Sequence, residues 1–243
     1  MYEKKTSRIG NCIPTIPFAI SYKVVFLLFF TCICASVSLL SSCNDPYAGM
    51  RFSRNFRETH FIELQPFEYD RSVKPQLLSS KIRVAYGFRT IINPELSLPN
   101  DLLNFEKGRR YDAPRVLKYL KELKSDSNAL IVGITSADIY TSKRDRSGKI
   151  RKPEYKYKIW GIFGLATCPG NSAVISTKRI KHPDGRQYEE RIIKIILHEI
   201  GHNLGLKHCS DKKCLMTDAV EKISTIDNAS SELCRKCSLQ IGE

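Results

Sequence analysis

Apolar residues follow three different spacings along this chain, and each spacing predicts a different element. The segment ALIVGIT at 129–135 is continuously apolar, which is typical of a strand buried on both faces. The segment KIRVAYGF at 81–88 alternates apolar and polar residues and predicts a half-buried strand. In PRVLKYLKELK at 114–124, apolar residues recur at helical spacing after a proline, which predicts a helix. Further strands are predicted over 61–66, 159–166 and 173–177, and further helices over 188–204 and 230–240.

A separate apolar run lies near the N-terminus. Residues 24–40 read VVFLLFFTCICASVSLL, basic residues precede them, and Leu-Ser-Ser-Cys follows at 40–43. A basic region, an apolar core and small residues before a cleavage point are typical of a secretory signal. The ending is similar to a bacterial lipobox, which predicts cleavage before Cys43 and a lipid on that cysteine. Because the run is at the short limit for spanning a bilayer, an uncleaved membrane anchor is the alternative.

These patterns divide the chain into a signal over 1–42, a linker over 43–59 and a domain over 60–243. The linker is polar and basic without periodicity, and the remaining ~200 residues suit one domain with a full core. Either form of the N-terminal segment tethers the domain to a lipid membrane. We therefore expect a protein of the cell envelope that faces the periplasm or the exterior.

The charge balance adds little to this assignment. The chain has 39 basic and 25 acidic residues, a net charge of +14, and removing 1–42 takes away four basic residues and one acidic residue, which leaves +11. The basic residues are dispersed, so nucleic-acid binding is not predicted. Attraction to anionic lipid headgroups or acidic peptides fits better, and a solvated basic surface fits best. A strongly basic loop is predicted over 141–155.

The main chemical signal is the segment HEIGHNLGLKH at 198–208. His198 and His202 are four residues apart, so on a helix they project from one face and can bind one tetrahedral zinc ion. Glu199 can act as general base on the water in the open position. Gly205 allows a sharp turn out of the helix, which brings His208 round as the third ligand. This HExxHxxGxxH pattern is the metzincin form of the zinc-protease motif.

Four cysteines follow the motif in two close pairs. Cys209 and Cys214 form the first pair, and Cys234 and Cys237 form a CxxC. Such pairs suit a tetrahedral thiolate site for a second zinc ion, which would hold the loop after His208 against the C-terminal segment. Two disulfides are the alternative, because an exported chain reaches an oxidising compartment.

The whole run HExxHxxGxxHC-x4-C-x-M-x17-C-x-x-C resembles the archaemetzincin family of zinc metalloproteases. The resemblance implies that the four cysteines bind a structural zinc and that Met216 is the Met-turn residue beneath the catalytic zinc. It also implies an α/β (α+β) fold, with a twisted mixed sheet over the catalytic helix and a small C-terminal subdomain. In such folds an edge strand pairs with extended substrate, and 159–166 contains a similar FGLA.

We therefore expect a monomeric zinc metallopeptidase that contains two zinc ions per chain and acts on a peptide or protein substrate. Glu199 would take the proton of the attacking water and deliver it to the leaving amine. The alternative is a proteolytically silent, zinc-stapled binding lipoprotein, against which the intact Glu199 argues. Neither the residues nor the resemblance distinguishes endopeptidase from aminopeptidase activity.

Overall fold

The computed structural model of the protein describes residues 54–69, 71, 73–218 and 222–242. The signal, the lipobox and Cys43 lie outside the described residues. No helix within the described ranges has the length and apolar character needed to cross a bilayer. The elements are, in order, α1 (Arg54–Thr59), β1 (Phe61–Phe67), α2 (Pro75–Tyr86), β2 (Arg89–Ile92), a 3-10 turn (Asn100–Leu102), β3 (Leu103–Asn104), β4 (Arg110–Asp112), α3 (Ala113–Leu123), β5 (Ala129–Thr135), β6 (Ile139–Thr141), α4 (Glu154–Tyr157), β7 (Trp160–Ile162), β8 (Gly164–Ala166), β9 (Ser172–Ser176), α5 (Gly185–Asn203), α6 (Ile223–Asn228) and α7 (Arg235–Gln240).

The larger of the two described sheets has five strands in the order β2-β1-β5-β9-β8. The first four strands are parallel, with Leu64 opposite Val132 and Val132 opposite Ala173. The last strand, β8, runs antiparallel to β9 and forms one edge. The mixed sheet predicted from the sequence is therefore confirmed. A second, four-stranded sheet in the order β3-β4-β6-β7 was not predicted.

Helices cover both faces of the larger sheet, which explains why its central strand is continuously apolar. Val132 and Ile134 of β5 belong to a hydrophobic cluster with residues of α2 and α5. Ile131, the residue before Val132, belongs to a second cluster with residues of α3. Alternate side chains of a strand point to opposite faces, so both sets must be apolar when both faces are covered.

The strand predicted over 81–88 is wrong, because these residues lie at the end of α2 and in the turn after it. Leu78, Ile82 and Tyr86 are buried at a spacing of four, whereas Val84 is 83% exposed. The helix begins with a proline in its first turn and ends at Gly87, whose φ of +76° suits glycine at a helix C-terminus. Residues 81–88 include Ile82 and Tyr86 but not Leu78, so the helical spacing of the three buried residues was incomplete and the alternation suggested a strand.

Other boundaries also differ from the predicted ones, and the helix predicted over 230–240 begins only at Arg235. The strand predicted over 159–166 is two strands in different sheets, since β7 pairs with β6 and β8 pairs with β9. The chain passes from one sheet to the other at Phe163. Residues 54–59 of the predicted linker form α1, and Phe56 is buried against Phe88 with ring centroids 6.1 Å apart. The folded part therefore begins before residue 60.

Candidate active site

Helix α5 and the turn after it bring the three motif histidines together. His198 and His202 lie one turn apart on α5, which ends at Asn203. Gly205 has a φ of +87°, a conformation that favours glycine, and the chain turns there to return His208 to the helix. One ring nitrogen from each histidine lies within 4.8 Å of the others. This arrangement could hold a metal ion.

Backbone carbonyls orient two of the three rings. Nδ1 of His198 donates to the carbonyl of Leu215 at 2.8 Å, and Nδ1 of His202 donates to the carbonyl of Leu206 at 2.7 Å. A carbonyl can only accept, so the proton lies on Nδ1 and the lone pair on Nε2. The His208 Nδ1 lies 3.5 Å from an Asp218 carboxylate oxygen. Such partners fix the orientation of metal-binding imidazoles.

The two helix histidines are held in the neutral form that binds metal. Burial and the neighbouring His202 lower the pKa of His198 to about 4. Burial is also the main cause that lowers the pKa of His202. Neutral imidazoles keep a lone pair for a metal ion at ordinary pH.

Glu199 lies beside the triad and under the edge strand β8. Its side chain is buried, and burial raises the pKa of its carboxyl group to about 8. A Cβ atom on Gly164 would lie 2.6 Å from Oε1 of Glu199, so any larger residue there would displace the Glu199 side chain. A carboxylate with this high affinity for a proton is suited to act as a general base.

Met216 packs beneath the histidine helix and is fully buried. A Cβ atom on Gly201 would lie 2.5 Å from its Sδ and 3.0 Å from the hydroxyl of Tyr86. That hydroxyl donates to the carbonyl of Leu197 at 2.7 Å. Gly201 therefore allows the loop that carries Met216, called the methionine loop below, and Tyr86 of α2 to approach α5 closely.

The four cysteines also meet at one point. Their Sγ atoms all lie within 4.8 Å of one another, with Cys209 to Cys234 at 3.7 Å and Cys214 to Cys237 at 3.8 Å. Sulfurs around a tetrahedral zinc, with bonds of about 2.3 Å, lie about 3.8 Å apart. A disulfide needs about 2.05 Å, and none of the five described cysteines forms a disulfide. This geometry suits a metal ion.

Hydrogen bonds within the cluster favour a thiolate at Cys234, whereas burial raises the pKa values of Cys214 and Cys237 in the absence of a metal ion. The Sγ of Cys214 accepts from the backbone N–H groups of Met216 at 3.4 Å and Cys234 at 3.3 Å. Burial raises the pKa of Cys234, but the Cys237 N–H group and the neighbouring thiols outweigh it and lower that pKa to about 7. Thiolates are the form that binds zinc.

A cleft of about 460 Å³ opens in front of the triad. Its lining includes the edge strand β8, Glu199 and the three histidines, and also Lys194 and Ile226. Lys194 donates to the carbonyls of Ile226 and Asp227 at 3.2 and 3.3 Å, at the end of α6. The cleft wall formed by α6 is thereby attached to α5.

Sequence reasoning missed the ion pair that holds this wall. Arg191, which is 5% exposed, donates to both carboxylate oxygens of Asp227 at 2.6 and 2.7 Å. Its hydrogen bonds lower the pKa of Asp227. The signal in the sequence that could have indicated this pair is Arg191 itself, a charged residue among the apolar residues of α5. It lies seven residues before His198 and so on the same face of the helix.

The profile of peptidase family M54 matches residues 68–243 of the chain. The chain belongs to this family, the archaemetzincins. An archaemetzincin of Methanopyrus kandleri is 33% identical over 141 residues, which cover 58% of this chain and 70% of the relative. The fold, the zinc cofactors and the metallopeptidase class expected from the sequence are thereby confirmed.

Solved archaemetzincin structures have the same fold. The Methanopyrus kandleri crystal structure superposes with a TM-score of 0.61 and 26% identity, over 76% of this chain and 95% of that one. The Archaeoglobus fulgidus structure, complexed with malonate, gives a TM-score of 0.60 and 26% identity, over 74% and 99%. Archaemetzincins are zinc-dependent, and the two clusters described above suit one catalytic and one structural zinc.

Proposed function

We propose that the protein hydrolyses peptide bonds with Glu199 as general base and with His198, His202 and His208 as ligands of the catalytic zinc. The observation that carries the proposal is the position of one buried carboxylate beside three converging imidazoles in the same open cleft. Three protein ligands leave one coordination position for water or substrate, which is the arrangement of catalytic rather than structural zinc sites.

Zinc bound there supplies a Lewis acid that lowers the pKa of a water molecule and polarises the scissile carbonyl. The Glu199 carboxylate accepts a proton from the attacking water and delivers it to the nitrogen of the leaving amine. The carbonyls of Leu215 and Leu206 keep the His198 and His202 rings in the tautomer that binds metal.

The edge strand β8 is our proposed binding site for the substrate backbone. Among the described strands it pairs only with β9, and its three residues line the cleft. An open edge offers unpaired N–H and C=O groups to an extended peptide. We infer that the substrate lies beside β8 with its scissile bond over Glu199.

We infer that Cys209, Cys214, Cys234 and Cys237 bind the structural zinc and that Met216 forms the Met-turn. Cys209 donates its N–H group to the Met216 carbonyl at 2.8 Å, so a metal bound by the cysteines would also stabilise the methionine loop. We further propose that lipidated Cys43 tethers a monomeric enzyme to the membrane of the cell envelope. The lipobox pattern supports this tether.

Glu199→Ala, made in residues 44–243, tests the proposal against the alternative of a silent binding protein. We expect both zinc ions to remain and cleavage of a broad peptide library to fall by about 10³-fold, because general bases contribute about 10²–10⁴-fold. Glu190→Gln, an exposed change on α5, is the control and should retain activity. Equal turnover by wild type and Glu199→Ala would remove the base assignment, and a wild type that cleaves nothing would favour the silent protein.

A further inference from the structure

The segments 104–110 and 143–158, which we call the basic lobe, carry a large part of the protein's positive charge. Together they contain eleven Lys and Arg residues against three Asp and Glu, which gives +8 of the chain's net +14. Hydrogen bonds join the two segments, because Lys107 donates to the Tyr155 carbonyl and Lys158 forms an ion pair with Glu106 at 3.2 Å. The structure thus concentrates charge that is separated in the sequence.

Two aromatic side chains project from the same part of the lobe. Phe105 is 67% exposed and Tyr155 is 75% exposed, among the most exposed large apolar side chains of the described residues. The Lys107 ammonium group lies 5.9 Å from the centre of the Tyr155 ring, and Phe105 is two residues from Lys107. Two exposed aromatic rings on a strongly basic segment combine the apolar and the charged contacts that a membrane surface accepts.

Tyr157 of the lobe and Trp160, just after it, are already covered by cations. Lys143 lies over Trp160 at 4.8 Å, and Arg151 and Lys156 lie over Tyr157 at 5.2 and 5.3 Å. Proteins that bind single-stranded nucleic acid need open ring faces on which bases stack. Trp160 and Tyr157 therefore offer no open stacking face, which leaves Phe105 and Tyr155 for apolar contact and the basic residues for an anionic partner.

We propose that the basic lobe docks on anionic lipid headgroups at a membrane surface, with Phe105 and Tyr155 entering the headgroup region. Amphipathic aromatic rings are enriched at this depth of a bilayer. Each Lys or Arg near an anionic membrane raises the affinity about fivefold, and salt weakens this attraction. The lobe therefore combines the two contributions that give reversible binding to a membrane surface.

The position of the lobe in the chain gives such docking a consequence. The lobe adjoins the four-stranded sheet, in which Thr141 of β6 pairs with Trp160 of β7. Strand β7 continues through Phe163 into the cleft strand β8, so the lobe is connected to the cleft. A tether at Cys43 would have only ten residues before Arg54, a reach of about 35 Å. Membrane docking would then orient the cleft relative to the bilayer, whereas the tether alone only limits its distance. The proposal requires neither peptidase activity nor lipidation.

Vesicle binding by residues 44–243, which lack Cys43 and the apolar run, tests the proposal. This fragment contains the whole described core, because both hydrophobic clusters lie between Phe56 and Ile241. The fragment should float with vesicles of phosphatidylglycerol and phosphatidylcholine at low salt, more weakly at high salt, and not with phosphatidylcholine alone. Equal flotation with both vesicle types, or none with either, would overturn the proposal.

Two matched double charge reversals locate the binding surface. Lys149→Glu with Lys152→Glu changes exposed lobe residues that cover no ring, and should lower the affinity for anionic vesicles at least about twentyfold. Lys81→Glu with Arg83→Glu changes the same charge on the exposed face of α2, and should retain most of the affinity. Phe105→Ser with Tyr155→Ser should remove the binding that persists at high salt. Equal losses in both charge variants, or a lobe that binds single-stranded RNA but no vesicle, would contradict membrane docking.

Discussion

The histidine triad and the cysteine cluster share one stretch of chain but differ in what surrounds them. His208 and Cys209 are consecutive residues, yet the first lines an open cleft and the second belongs to a cluster with two buried members, Cys214 and Cys237. Three imidazoles leave a coordination position for substrate, whereas four thiolates fill a tetrahedral ion. On the proposed assignment, the open coordination position makes one site reactive, although the two sites are adjacent in the sequence.

The two sites also differ in what holds their ligands. Two histidines lie on α5, a 19-residue helix whose apolar residues pack in the main core. The cysteines lie on loops and at the start of α7, which has only six residues. We therefore expect loss of the cysteine site to affect folding first, and loss of the triad to affect activity first.

The largest effect on stability should come from Cys237→Ser. Structural zinc sites contribute directly to folding, so losing one buried thiolate should cost about 5 kcal/mol and lower the unfolding temperature by about 10–20 °C. Calorimetry and zinc analysis check this. Cys168→Ser, which changes an exposed thiol outside the cluster, is the control and should alter neither. A Cys237→Ser protein with two zinc ions and wild-type stability would mean that the cluster is not a metal site.

His208→Ala tests the other half of the comparison. It removes the third imidazole while both helix histidines keep their carbonyl partners. Loss of an outer hydrogen-bond partner of a zinc ligand lowers the zinc affinity about 10- to 100-fold, so loss of the ligand itself should lower the affinity further. The unfolding temperature of the metal-free protein should stay close to that of wild type. Competition with a chelator measures the affinity. An unchanged affinity would show that the third ligand is another residue.

Asp227→Ala should destabilise the cleft wall that α6 forms. The change leaves the Arg191 guanidinium buried without its carboxylate, and breaking such a pair costs roughly 3 kcal/mol. Because Arg191 lowers the pKa of Asp227, the stabilisation is present above the unfolded pKa of about 3.9 and is lost as pH falls through the folded value. Urea unfolding should therefore show a gap between variant and wild type at pH 7 that narrows below about pH 4. A constant gap would exclude the ion pair as its cause.

Gly201→Ala should have the smallest effect, at the contact that links the triad to the methionine loop. Its new Cβ atom would lie 2.5 Å from the Met216 sulfur, so the loop must shift, which costs about 1–3 kcal/mol. Gly185→Ala, at the start of the same helix, meets no atom within 4 Å and is the control. Equal stability of the two variants in urea would show that Met216 does not pack tightly beneath α5.

The sequence predicted the chemistry of the site better than the elements around it. Ligand spacing in the motif depends on one helix and one turn, so local rules suffice for His198, His202 and Gly205. The strand predicted over 81–88 failed because the helical anchor Leu78 lay outside the window. The Arg191–Asp227 pair, 36 residues apart, and the second sheet depend on long-range packing that no local pattern contains.

Zinc content and free thiols of residues 44–243, measured together by native mass spectrometry and thiol titration, distinguish a metal centre from a cross-link at the four cysteines. We expect two zinc ions per chain and no disulfide, with the cysteine-bound ion released only on unfolding. One zinc ion with two disulfides among Cys209, Cys214, Cys234 and Cys237 would contradict this expectation, because the closed site would then be an oxidised cross-link instead of a metal centre.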